Sequence, residues 1–141
     1  MKTRTLCTVA LAALIVGAGP HAAQPQSAAD RVQVAPVFAG ALPNVPGKTL
    51  TSVVVSYAPG AKSPSHRHAG SVFAYVLTGS IRSENSATGP AKVYKAGESF
   101  FEPPGSEHLV SENASDTEPA SLLAVIVADD GARLTTPTPG R

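Results

Sequence analysis

The chain has 141 residues, with 11 Lys and Arg against 10 Asp and Glu and a formal net charge of +1. That length holds one domain around one hydrophobic core and excludes a second catalytic domain. The near-even charge leaves no basic footprint for nucleic acid.

Met1 to Thr5 carries Lys2 and Arg4, a largely apolar run follows from Leu6 to Ala18, and then come Pro20, Ala22 and Ala23. This is the layout of a secretory signal peptide. A bilayer span takes about 20 apolar residues, more than this run supplies. Residues 1–23 are therefore expected to be cleaved, leaving a mature chain that starts near Gln24, is periplasmic or secreted and has no membrane span. Lys2 and Arg4 leave with the leader, so nine Lys and Arg then face ten Asp and Glu. Cys7, the only cysteine, leaves as well, and thiol chemistry leaves with it. His21 is also lost, which keeps His66, His68 and His108 as the histidines of the mature chain.

Residues 24–47 read as a lead-in with one edge strand, VQVAPVF, closed by the turn cluster from Pro43 to Gly47. Strand-like segments follow at regular intervals over residues 48–128: TLTSVVVSY, SVFAYVL, SIRSE, KVYKAG, ESFFE, EHLVSEN and ASLLAVIVA. Short strands punctuated by Gly and Pro indicate a sandwich or barrel, and no stretch sustains a helical period. The fold class is all-β. SVFAYVL and SLLAVIV are apolar on both faces, so the outer face calls for a further strand layer or a partner subunit. Val72, Ala74 and Val76 share one face, and Phe73 and Tyr75 share the other; core packing is the role expected for both aromatics. Residues 129–141 are expected to form a flexible tail.

Two windows carry the chemistry. In Gly60-Ala61-Lys62-Ser63-Pro64-Ser65-His66-Arg67-His68, the two imidazoles lie on one side of a strand, because side chains alternate. Such a pair can grip one ion, although by itself the spacing also suits two surface histidines. The second window, Gly97-Glu98-Ser99-Phe100-Phe101-Glu102-Pro103-Pro104-Gly105-Ser106-Glu107-His108, ends a strand in a rigid turn and places a histidine just beyond it. Gly60, Gly79, Gly97 and Gly105 are read as turn residues. Arg82 can either reach the barrel mouth, to hold a carboxylate or enolate, or face solvent.

Together the windows resemble the two motifs of the cupin superfamily, G-x5-H-x-H-x3-E-x6-G and G-x5-P-x-G-x2-H-x3-N. Gly60, His66, His68 and Gly79 match the first, and Gly97, Pro103, Gly105 and His108 match the second, with seventeen residues between Gly79 and Gly97. The resemblance covers residues 48–128 and implies a double-stranded β-helix (jelly-roll) barrel. It also implies one divalent metal ion held by His66, His68 and His108. Two slots depart from the pattern: the glutamate position holds Val72, and the asparagine position holds Glu112 with Asn113 beside it. Three neutral imidazoles leave the ion's charge uncompensated and up to three coordination positions open, which favours chelating oxygen ligands and O2.

By resemblance the closest type is the three-histidine, diketone-cleaving dioxygenase. That implies an oxidoreductase acting on a small enolisable molecule, with Fe(II) first and Mn, Zn or Ni as other candidates. Enzymes of that type carry a glutamate at the spacing of Glu102, which points to a catalytic role beside the metal. Glu102 then accepts an imidazole N–H, or takes over as a ligand from the glutamate lost at Val72, or is an exposed strand-end carboxylate; alternation cannot decide, because the Pro-Pro-Gly turn intervenes. The reading from another class is a non-catalytic barrel that binds or senses a small ligand through its metal. The partners expected are a small molecule and a second copy of the chain in a homodimer.

Overall fold

The computed structural model describes residues 31–139; the expected leader and the first residues of the lead-in lie outside them. The ten elements are all strands: β1 (Val32–Ala41), β2 (Lys48–Tyr57), β3 (His66–His68), β4 (Ser71–Thr78), β5 (Ser80–Asn85), β6 (Gly89–Lys95), β7 (Ser99–Glu102), β8 (Glu107–Asn113), β9 (Ala120–Asp129) and β10 (Thr135–Pro137). One five-stranded sheet runs β1-β2-β9-β4-β7 and the other β10-β3-β8-β5-β6. All pairings are antiparallel. From β2 onward the chain changes sheet at nearly every step, only the β5–β6 hairpin staying within one, so the two sheets face each other as a jelly-roll barrel.

Alternation sets what each strand buries. On β9, Ala120, Leu122, Ala124, Ile126 and Ala128 point inward, and on β4, Val72, Ala74 and Val76 do the same. Ile81 of β5 and Phe100 of β7 complete much of the core, with Tyr57 at the end of β2. Alanine at 74 and 124 adds little volume inside, and both residues line the cavity described below. Gly79 makes the sharp β4–β5 turn at φ 67°. A Cβ there would stand 2.6 Å from the Pro119 carbonyl oxygen, so both conformation and space require glycine.

Two expectations are corrected. Phe73 and Tyr75 do not pack in the core: they lie on the outward face of β4, 46% and 39% exposed, because the smaller Val72, Ala74 and Val76 take the inner face. The C-terminal segment expected as a flexible tail contains β10, which pairs with β3 through Thr135↔His68, Thr136↔Arg67 and Pro137↔His66. Proline fits there because β10 is an edge strand, where a missing N–H costs no ladder bond. The edge strand expected in the lead-in is β1, with a bulge between Pro36 and Phe38.

Candidate metal centre

Two neighbouring strands, β3 and β8, carry the three histidines. On β3, His66 and His68 face the barrel interior, while Arg67 between them faces out and lies 3.7 Å from Glu107. Antiparallel pairing of β3 with β8 sets His66 directly opposite His108. The His66 ring is 4.8 Å from that of His68 and 5.1 Å from that of His108, centroid to centroid. One nitrogen from each of the three lies within 4.8 Å of the others, a grouping that can hold a metal ion.

Each ring has one nitrogen already engaged. His66 Nδ1 donates to the Pro64 carbonyl oxygen at 2.7 Å, and His68 Nδ1 donates to the Leu134 carbonyl oxygen at 3.1 Å, with Thr135 Oγ1 at 3.2 Å. A carbonyl can only accept, so both Nδ1 atoms carry a proton, and Nε2 is the nitrogen of each ring left to offer a lone pair to an ion. His108 Nε2 lies 2.9 Å from Ser83 Oγ, while its Nδ1 is buried without a hydrogen-bond partner. Neutral imidazoles fixed by backbone carbonyls, together with an orphaned buried nitrogen, fit a divalent ion. Burial pushes the His66 imidazole below its ordinary pKa, the neighbouring His108 and His68 push the same way, and the Pro64 hydrogen bond opposes them. The ring is therefore in its ligand form at neutral pH.

Glu102 ends β7 with its carboxylate 3% exposed. Its Oε1 is 3.1 Å from His108 Nδ1, and its Oε2 is 3.4 Å from Asn85 Nδ2. Burial alone would raise this carboxyl, but His108, then His68 and His66, outweigh it and hold the pKa below the usual carboxylate value. The alternative of an exposed strand-end carboxylate does not describe it.

The centre opens on a cavity of about 460 Å³. Val53, Val55, Val72, Leu122 and Ile126 make much of its wall, and no Lys or Arg lines it among the described residues. Tyr57 also faces the cavity, its hydroxyl 2.7 Å from Ser111 Oγ and 3.3 Å from Ser63 Oγ.

Arg82 does not reach the mouth. It faces outward and lies 3.5 Å from Glu112, the residue in the motif's asparagine slot. Asn113 is buried instead, its Nδ2 donating to the carbonyl oxygens of Ala58 and Glu118 at 3.1 and 2.7 Å, so it ties down a turn. Sequence reasoning missed Ser83 and Asn85, which β5 aims inward at His108 and Glu102. Their signal was present, since they share the inner face with Ile81 at intervals of two. Leu134 and Thr135 carried no such signal.

Comparison with known proteins agrees with this arrangement. The profile of the cupin domain family matches residues 53–126. Among curated proteins, none matches this chain in sequence. The DMSP lyase DddQ from Ruegeria pomeroyi DSS-3 superposes with a TM-score of 0.62 at 20% identity, over 77% of this chain and 52% of that one. The oxalate decarboxylase of Bacillus subtilis, studied for its Mn(II) centres, superposes with a TM-score of 0.52 at 27% identity, over 62% of this chain and 23% of its own. The chain thus spans about half the length of the first of these and under a quarter of the second. With both histidine windows on neighbouring strands of a jelly-roll barrel and more than half of the chain matched by the family profile, this protein belongs to the cupin family.

Proposed function

We propose that the protein is an exported mononuclear metalloenzyme of dioxygenase type, with Fe(II) as its ion, acting on a small enolisable molecule that chelates the metal. The observation that carries this reading is the set of three neutral imidazoles opening on an apolar cavity of about 460 Å³. A bound ion would supply Lewis acidity and, as Fe(II), redox chemistry toward O2. The chain's own residues do the rest. Val53, Val55, Leu122 and Ile126 hold an apolar body and exclude water. Tyr57, Ser63 and Ser111 give the cavity neutral hydrogen-bonding groups. Glu102 is the cavity's carboxylate, placed to take a proton from a bound acid. With no Lys or Arg on the wall, a neutral or singly charged ligand is favoured over a dianion such as oxalate. The leader pattern of residues 1–23 supports export, and the apolar outer face of β4 and β7 supports a homodimer.

Metal content of protein recovered from its native compartment, measured by mass spectrometry, tests the first half. About one ion per chain is expected, falling to background in the triple variant His66→Ala, His68→Ala, His108→Ala; equal content in both refutes the centre. O2 uptake by the Fe(II) form with a panel of β-diketones and flavonols tests the second. Turnover of the apolar chelators and none of oxalate is expected, whereas tight binding without O2 uptake makes the protein a ligand-binding barrel.

A further inference from the structure

We propose that Glu102 is itself a metal ligand, replacing from the neighbouring strand the carboxylate that the family pattern places at residue 72. The proposal rests on the reading of His66, His68 and His108 as a metal centre. Three independent observations lead to it.

The first is register. β4 and β7 are antiparallel neighbours, and Val72 stands directly opposite Glu102. Directly opposed residues project to the same face with their Cβ atoms about 4.5–5.5 Å apart. Both are buried, Val72 at 1% and Glu102 at 3%. A carboxylate moved from position 72 to position 102 therefore enters the barrel from one strand over, on the same face; the 4.8 Å grouping takes in the three histidines and not Glu102, so ligation requires its side chain to turn toward the ion.

The second is the contact with His108. Nδ1 and Oε1 are 3.1 Å apart, yet Nδ1 has no hydrogen-bond partner, so the two atoms are close without being aligned for N–H donation. Two donor atoms each about 2.1 Å from one ion and at right angles lie about 3 Å apart. The separation is that of adjacent ligands on one ion. In the tautomer whose Nε2–H donates to Ser83 Oγ, His108 presents the Nδ1 lone pair on the side where Glu102 stands.

The third is charge. A carboxyl group this deeply buried needs polar or cationic partners, and among the described residues Glu102 has the Asn85 amide at 3.4 Å and the His108 imidazole. No Lys or Arg lines the cavity among the described residues. An ion held by the three histidines supplies the missing positive charge. The centre would then combine three imidazoles with one carboxylate, and an ion of six-fold coordination would have two positions left for a chelating molecule rather than three.

Zinc is the probe, because it binds without redox chemistry. In a crystal structure of the zinc-loaded wild type, an Oε atom of Glu102 is expected about 2.0–2.2 Å from the ion. Zinc bound by the histidines with both oxygens beyond about 3 Å would overturn the proposal while leaving the three-histidine centre standing. Wild type that binds no zinc removes the centre and the proposal together. In solution, Glu102→Val is expected to lower zinc affinity by about 100-fold or more, at or above the upper end for losing an outer partner. Val72→Glu should restore most of that loss in the Glu102→Val background and add little in wild type, because the two carboxylates serve one coordination position. An equal gain in both backgrounds means that Glu102 does not occupy that position. Should Val72→Glu fail to fold, as judged by circular dichroism, the zinc-loaded wild-type structure decides alone.

Discussion

Tyr57 ties burial at a single residue to a measurable pH response. Burial raises its phenol above the ordinary value of 10.0, and the hydrogen bonds to Ser111 and Ser63 only partly offset that. In the pH range between the unfolded and folded values, the unfolded chain has lost a proton that the native protein keeps. Stability therefore falls as pH rises above about 10. Thermal melts of wild type across this range should show that alkaline decline, and Tyr57→Phe should remove it, at a cost of about 1 kcal/mol for the lost bond to Ser111. An unchanged decline in the variant would assign it to another group. Position 57 was legible as the end of a strand, whereas its partners at 63 and 111 come from distant parts of the chain. The same holds for His108: its spacing from Gly105 marked it as a ligand, but only the pairing of β5 with β8 places Ser83 on its Nε2.

β10 acts at the scale of an element. Among the described residues its three residues pair only with β3, and Leu134 just before it accepts the hydrogen bond of His68 Nδ1. Ser65 and Thr138 join the same two segments through their hydroxyls at 2.7 Å. Ending the chain after Arg133 should leave the barrel folded, since the fully buried side chains Ile81, Val72 and Val76 all lie elsewhere. His68 would lose the carbonyl that fixes its tautomer, and metal affinity should fall by about 10- to 100-fold. Circular dichroism with a metal titration checks both, and unchanged affinity would show that β10 does not orient the ligand. This strand escaped sequence reading because three residues with a proline carry no period, and edge pairing alone makes them a strand.

For the whole molecule, the outward face of the first sheet is the unresolved surface. Phe73 lies directly opposite Phe101, and Tyr75 and Leu77 continue the patch along β4. The two phenylalanines are 46% and 50% exposed. An apolar patch of this kind marks an interaction surface, and a second copy of the chain is the occupant proposed above. Sedimentation of the mature protein should report a dimer. Phe73→Lys with Phe101→Lys should yield monomers with wild-type metal content, because both side chains point away from the centre. A wild type that is monomeric at all concentrations would leave this face without its second copy.

The sequence by itself determined the all-β class, the core run of strands and the three histidines, because each is written locally. Alternation fixes which side chains share a face, and glycine and proline fix where strands turn. The tertiary structure decided which face looks inward, and that overturned the core role of Phe73 and Tyr75, since apolar residues on both sides of a strand give alternation no sign to read. It also decided everything that depends on pairing between distant strands. His66 meets His108, Glu102 stands opposite Val72, and Leu134 reaches His68 only through register. Register is set by the closing of two sheets into one barrel, which no window of the sequence contains.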